Sequence, residues 1–395
     1  MSKQNKALII FFSLMVVVFI TVAVIGFSSA NSTPPDTAPT GETSATAPAD
    51  TTAPQINFTT TLSFIGDCIF GNETGTPYEG NFLWYAENKP HDYFFSEVYE
   101  ELSKDDLTFA NFECVLTDRD LQKSHKDYDP AFWFRAPASH ADILSLGSVE
   151  VAGIVNNHIY DFGDEGYADA VDALTAQNIA VGEELKPLYF EKNGIRIGAV
   201  YVPLWASYQT QYTLNVLEEM QEKCDYKIVF FHGGEEAIHE PDNYKITACR
   251  EIAESGLCDL IVGAHPHVLQ PMEIVNGVPI VYSLGNFCYS GSNYPENKTV
   301  IFQVMLTQKQ GEITTSTRFI PCYVYTGDRN NWQPAIVKQV QDYNEIIGMM
   351  NTPVDYKEET TASEETTVPA TQAPTEASGN APDENLTDPT ETPYE

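Results

Sequence analysis

Positive charge is scarce in this chain of 395 residues: 21 Lys and Arg stand against 56 Asp and Glu, for a formal net charge of −35. Phosphate contacts need clustered Lys and Arg, so nucleic acid and anionic membrane surfaces are excluded as main partners. A polyanionic ligand would require a local counter-charge, which a bound metal ion supplies. Cysteine is also sparse and poorly placed for bridging. The seven are scattered from Cys68 to Cys322, an odd number without a C-x-x-C pair, which argues against a disulfide framework or a zinc knuckle and for buried free thiols.

Charge is missing altogether from residues 7–29, which follow Lys3 and Lys6. This span is about the ~20 residues a helix needs to cross a bilayer, and the lysines set residues 1–6 in the cytoplasm. It reads as a single-pass signal-anchor that places the domain outside the cell membrane. A cleavable signal peptide ending at Ser28-Ser29-Ala30 is the alternative, and either one exports the chain. Residues 30–55 lack aromatics and are rich in Thr, Pro and Ala, and residues 352–395 repeat the bias with added Asp and Glu. Neither offsets the entropy of ordering, so a disordered linker and a disordered acidic tail are expected. Residues 56–351 remain as one large domain.

That domain alternates apolar strands with amphipathic helices, the pattern of an α/β fold. Strands are expected near 58–65, 106–110, 149–155, 195–201, 226–231, 259–262 and 277–287. Helices are expected over 92–103, 138–146, 165–177, 214–222 and 244–255, with a hairpin at Asn193-Gly194 and another at Gly311. Polar groups gather where strands end: Gly66-Asp67, Asn111-Phe112-Glu113, Asn156-Asn157-His158 with Asp161, His232-Gly233-Gly234-Glu235, His265-Pro266-His267 and Asn286. Strand exits are where α/β folds bind ligands. Pro266 fixes φ between the two histidines, so both imidazoles are able to face one place. Arg135, in the loop 132–137, is a cation available to the same site. Asp161 also suits a plain capping role at the next helix. Asp, Glu, Asn and His from separate strands form a ligand set for one or two divalent ions, manganese, zinc or iron.

Taken together, Phe64-Ile65-Gly66-Asp67, Ala110-Asn111-Phe112-Glu113, Phe134-Arg135-Ala136-Pro137, Asn156-Asn157-His158-x-x-Asp161-x-Gly163, His232-Gly233-Gly234-Glu235, Gly263-x-His265-Pro266-His267-Val268 and Tyr282-Ser283-Leu284-Gly285-Asn286-Phe287 resemble the bacterial capsule-synthesis CapA family. Its founding members act in poly-γ-glutamate capsule formation, and it belongs to the calcineurin-like metallophosphatase superfamily. The resemblance implies a sandwich of two mixed β-sheets flanked by helices, with a dinuclear-type centre. On that basis Asp67, Glu113, Asn157, His232, His265 and His267 are expected as metal ligands, and Glu113 stands at the bridging carboxylate. His158 is the expected proton donor to the leaving group, with Asp161 beside it. Asn111, Asn156, Arg135, Glu235 and Asn286 are the expected substrate contacts.

Three features depart from the pattern of the family and its superfamily. Ile69 replaces a histidine two residues after the first Asp, and Glu113 replaces the bridging Asp. Gly233-Gly234 stands where a Trp often follows His232, which is expected to leave the pocket wall open. Two functions follow from the resemblance. One is a metal-dependent hydrolase or transferase acting on an envelope polymer such as poly-γ-glutamate during its synthesis or export. The other is a non-catalytic factor that binds the polymer, or membrane synthase subunits, on the same fold.

Overall fold

The computed structural model describes residues 58–127 and 130–356. The expected cytoplasmic N-terminus, signal-anchor and linker, and the tail beyond Tyr356, lie outside the described residues. Among the described residues no helix is long and apolar enough to cross a membrane.

The first half of the domain runs β1 (Phe58–Ile69), α1 (Phe82–Asn88), α2 (Tyr99–Leu102), β2 (Leu107–Phe112), β3 (Val115–Leu116), β4 (Arg135–Ala136), α3 (Ala141–Leu146), β5 (Val151–Gly153), α4 (Gly163–Ala176) and β6 (Ala180–Gly182). The second half runs β7 (Leu188–Lys192), β8 (Ile195–Pro203), α5 (Ser207–Met220), β9 (Tyr226–His232), α6 (Asn243–Glu254), β10 (Leu260–Ala264), β11 (Leu269–Val275), β12 (Val278–Leu284), β13 (Asn286–Tyr289), β14 (Thr299–Lys309), β15 (Glu312–Tyr323), β16 (Ala335–Ile336) and α7 (Val340–Met350). One mixed sheet has the order β16-β15-β14-β1-β2-β5-β6, with β13 also paired to β1, and a second has the order β11-β12-β10-β9-β8-β7.

Strand alternation builds the layers. In β1, Leu62 and Phe64 join a core with Ile197, Tyr201, Ile228, Phe230 and Val262 of the second sheet, so this core lies between the sheets. The intervening Ile65 instead packs with Phe82 of α1, Ile143 of α3 and Leu174 of α4. On the second sheet Val200, Val229 and Ile261 pack on Leu217 of α5 and Ile252 of α6. The molecule is thus helices, sheet, sheet, helices. All seven cysteines are free and buried.

The expected helix over 92–103 is broken. Bonds from Phe94 N to His91 O at 3.5 Å and from Val98 N to Phe95 O at 3.0 Å close tighter turns, and the apolar spacing reflects burial of Phe94, Phe95, Val98 and Leu102 rather than a continuous helix. The expected strand at 277–287 is two strands. Gly285, at φ +68°, turns the chain so that β12 stays in the second sheet while β13 crosses to the first.

Near the foot of β2, burial raises the Asp105 carboxyl to about 7, against a hydrogen bond of 2.8 Å donated by Thr108 Oγ1. The sign follows from proton binding. Below an ordinary carboxyl pKa of about 4 both folded and unfolded chains hold the proton, and between about 4 and 7 only the folded chain does, so this group lowers stability as pH rises through that window. Asp105→Asn keeps an acceptor for Thr108 and removes the charge. Its melting temperature should therefore exceed the parent's by more at pH 8 than at pH 4.5, and an equal difference at both pH values would refute the assignment.

Candidate metal centre

Strand register assembles the centre. Asp67 is paired with Asn111 of β2 on one side and with Asn286 of β13 on the other. In the second sheet His232 lies beside Ala264 of β10 and Pro203 of β8. Close backbone approach holds the first of these groups: Asp67 N donates to Gly285 O at 2.9 Å, and a Cβ on Gly66 would lie 1.9 Å from that same oxygen. Only glycine is tolerated at 66.

The carboxylates of Asp67 and Glu113 are fully buried, and Asn111 Nδ2 donates to both, at 2.8 Å to Asp67 Oδ1 and 2.5 Å to Glu113 Oε1. His267 Nδ1 lies 3.0 Å from Asp67 Oδ2 and 3.0 Å from Asn286 Oδ1, and Asn286 Nδ2 donates to His267 O at 2.9 Å. Burial opposes charge on Asp67, but the hydrogen bond and charge of His267 outweigh it and hold the carboxyl below its usual range. Burial likewise opposes charge on His267, and its bond to Asp67 outweighs that and raises the imidazole. Glu113 is pushed well above the ordinary range by burial and by the Asp67 carboxylate beside it.

Three imidazoles close the other side. The rings of His232 and His265 are 4.7 Å apart, and those of His265 and His267 are 5.8 Å apart. His232 Nε2 lies 3.0 Å from Asn157 Oδ1, which brings that amide to the cluster, and Nδ1 lies 3.3 Å from Asn111 Nδ2. Burial lowers His232 far below its usual value and lowers His265 to about 3, so both rings are neutral and keep a lone pair for a metal. The backbone at this turn is strained, with φ +100° at His265 and +58° at His267.

His158 stands beside this cluster with its own support. Its Nδ1 is 2.9 Å from Asp161 Oδ2, Lys126 Nζ is 2.5 Å from Asp161 Oδ1, and Phe134 N donates to Asp161 Oδ2 at 2.7 Å. Facing an acceptor-only carboxylate, Nδ1 carries the proton and Nε2 is the ring's working nitrogen. Burial lowers the His158 pKa and Asp161 opposes the shift.

The donor set suits a divalent ion. His267 with Asp67 and Glu113, and His267 with His265 and Glu236, each gather ligand atoms within 4.8 Å of one another. Glu113 Oε2 and His265 Nδ1 are buried without a hydrogen-bond partner among the described residues, a cost that coordination would relieve. Carboxylate oxygens with imidazole nitrogens favour manganese, zinc or iron.

The bacterial capsule synthesis protein family PGA_cap matches residues 61–290, from β1 to the end of the centre. The chain belongs to this family. Among curated proteins it is similar to the PGA biosynthesis protein CapA of Bacillus subtilis, 26% identical over 58% of this chain and 62% of that protein. It is also similar to the capsule biosynthesis protein CapA of Bacillus anthracis, 25% identical over 58% of this chain and 59% of that protein. The chain therefore spans about three fifths of the length of the curated relatives it matches. Among solved structures, one from Staphylococcus aureus described as a 5′-nucleotidase gives a TM-score of 0.43 at 14% identity, over 74% of this chain and 58% of that one.

Within this capsule-synthesis domain, some expected site residues lie elsewhere. Arg135 is turned away from the histidines: its guanidinium donates to Thr74 O at 3.3 Å, lies 3.8 Å from Asp120 and stacks on Phe162. It lines a separate cavity of about 270 Å³ with Gly75, Thr117, Asp118, Arg119, Asp120, Ala136 and Pro137. Asn156 works on the backbone, donating to Phe112 O at 2.9 Å and accepting from His158 N at 3.0 Å. Glu235 is exposed, and its neighbour Glu236 is the carboxylate that faces His265, at 3.9 Å. Ile69 is buried in the core under α1 rather than facing the cluster.

The wall expected to be open is filled from another strand. Trp205, two residues beyond β8, sets its ring 4.7 Å from His265 and 5.8 Å from His232. The signal for it was the same one used elsewhere, a polar or aromatic group at a strand exit, but Trp205 carries no titratable group to draw attention. Lys245 was also unforeseen. Fully buried on α6, it donates to Gln270 Oε1 at 2.6 Å and to Gly233 O at 3.4 Å, and burial lowers it to about 8. It thereby ties the segment after His232 to the segment after His267.

Proposed function

We propose that this chain is a membrane-tethered, extracytoplasmic capsule-synthesis protein that hydrolyses or transfers an amide or ester linkage of an envelope polymer of the poly-γ-glutamate type, using a divalent metal. The observation that carries this reading is the Asp67–Glu113–His267 cluster, its carboxylates buried and Glu113 Oε2 left without a hydrogen-bond partner among the described residues, together with His158 and its Asp161 support. Asp67, Glu113, Asn157, His232, His265 and His267 would hold the ion. When bound, it would polarise the scissile carbonyl and lower the pKa of a water molecule. Asn111 fixes the two carboxylates relative to each other, and Asp161 with Lys126 orients the His158 ring so that Nε2 serves the proton of the departing oxygen or nitrogen. Trp205 shields the histidines from bulk water on one side.

A second reading, a non-catalytic factor that binds polymer or membrane synthase subunits, draws on Ile69, whose side chain is buried in the core where the superfamily places a histidine. Full-length protein incubated with poly-γ-glutamate and manganese or zinc separates the two. The first reading expects shortened or transferred polymer, with His158→Asn slowing the reaction by about 10²–10⁴-fold while bound metal is unchanged. No change in the polymer, together with co-purification of synthase subunits, would establish the second.

A further inference from the structure

One surface beside the centre is unlike the rest of this acidic chain. From Trp205 to Leu217 there is no charged residue, and the stretch is aromatic and amide-rich: Trp205, Tyr208, Gln211, Tyr212 and Asn215. These residues are exposed, with Trp205 at 44%, Tyr208 at 51% and Tyr212 at 49% of their full accessible area. Tyr208, Gln211, Tyr212 and Asn215 lie on the outward side of α5, whose opposite side buries Thr210, Thr213, Leu217 and Met220, and Trp205 stands just before its first turn. The Tyr208 and Tyr212 rings are 5.6 Å apart in an edge-on arrangement, one helical turn from each other. Gln209 Oε1 accepts from both Trp205 N and Ala206 N, at 2.5 and 2.8 Å, which fixes the entry of the helix and the place of the indole. The row thus starts against His265 and His232 and leads away from them along the helix.

We propose that this row binds a neutral glycan chain and guides it to the metal centre. Exposed aromatic rings offer apolar faces on which the C–H faces of pyranose rings stack, and their polar edges stay wet. Gln211 Nε2 donates to Asn215 Oδ1 at 3.0 Å, which leaves Gln211 Oε1 and the Asn215 amide N–H groups for sugar hydroxyls. The absence of charge along the row matches an uncharged ligand. A polyanion would gain no counter-charge along this row. The inference rests on the proposed function only in taking the centre as the place where polymer chemistry occurs. It adds a saccharide to the ligands of this surface.

The test uses the full-length protein with two soluble probes, the tetramers of N-acetylglucosamine and of glucose, followed by calorimetry and by tryptophan fluorescence. Saturable binding of either probe is expected, weakened at least about tenfold in Tyr208→Ala/Tyr212→Ala, with bound metal at the parental level. Binding of neither tetramer, or equal binding by the double variant, would overturn the proposal. Loss of poly-γ-glutamate binding in the double variant without saccharide binding would reassign the row to the polyanion, and capture of a protein partner dependent on these tyrosines would reassign it to a protein surface. Because the double variant leaves the ligand residues intact, failure here is separate from failure of metal binding, which is read by elemental analysis of the same samples.

Discussion

Replacing Asp67 by alanine is expected to abolish binding of divalent metal and to lower the stability of the metal-free domain by about 3–5 kcal/mol, because it leaves a buried partner uncompensated. Asp67 is fully buried, and it is the group toward which His267 Nδ1 and Asn111 Nδ2 both point. Its removal strands an imidazole whose raised pKa depends on that carboxylate. Asp67, held low, stabilises the fold above an ordinary carboxyl pKa of about 3.9, and that contribution is lost as acid protonates it. His267, held high, stabilises the fold below about 6.5, and its contribution is lost as pH rises through the folded value. The metal-free pair therefore stabilises most between about pH 4 and 6.5, and the difference between parent and Asp67→Ala in urea unfolding with chelator should be largest there. A difference under about 1 kcal/mol across that range would contradict the account.

Phe64→Ala is the largest change expected away from the centre, at about 3–5 kcal/mol. Phe64 is fully buried between the sheets. Its ring stacks on Phe109 of β2 at 4.9 Å and meets Phe302 of β14 at 6.1 Å, both directly opposite it in register, and it reaches Phe230 of the second sheet at 6.3 Å. One side chain thus joins three strands of one sheet to the other sheet, and truncation leaves a cavity where the sheets meet. Native-state samples of this variant should bind metal as the parent does, which separates it from Asp67→Ala. A loss below about 1 kcal/mol in denaturant unfolding would show that the sheets close over the gap.

Much of the centre was legible because apolar strands ending in Asp, Glu, Asn or His announce themselves, and parallel neighbours bring those ends together. Asp67, Glu113, Asn157, His232, His265 and His267 were readable in this way. Direction was not. Arg135, expected in a loop, lies in the two-residue strand β4, too short for a periodicity that says which way a side chain faces, and its guanidinium goes to Thr74 and Asp120. Asn286 appeared as the end of one long strand. Its place beside Asp67 depends on the turn at Gly285, a change of sheet that apolar content does not signal. β11 is not among the expected strands; it contains Pro271 and is an edge strand, where proline costs no ladder bond on the open side. The wall formed by Trp205 was not legible because the indole carries no titratable group and acts by packing on the histidines.

Elemental analysis of the purified full-length chain, alongside His267→Ala, tests whether the carboxylates and imidazoles hold a metal ion. One or two equivalents of manganese, zinc or iron are expected in the parent, with loss of metal in the variant, whose imidazole is shared by both ligand groups. Metal no higher than background in the parent, or an unchanged content in His267→Ala, would contradict metal binding by these residues.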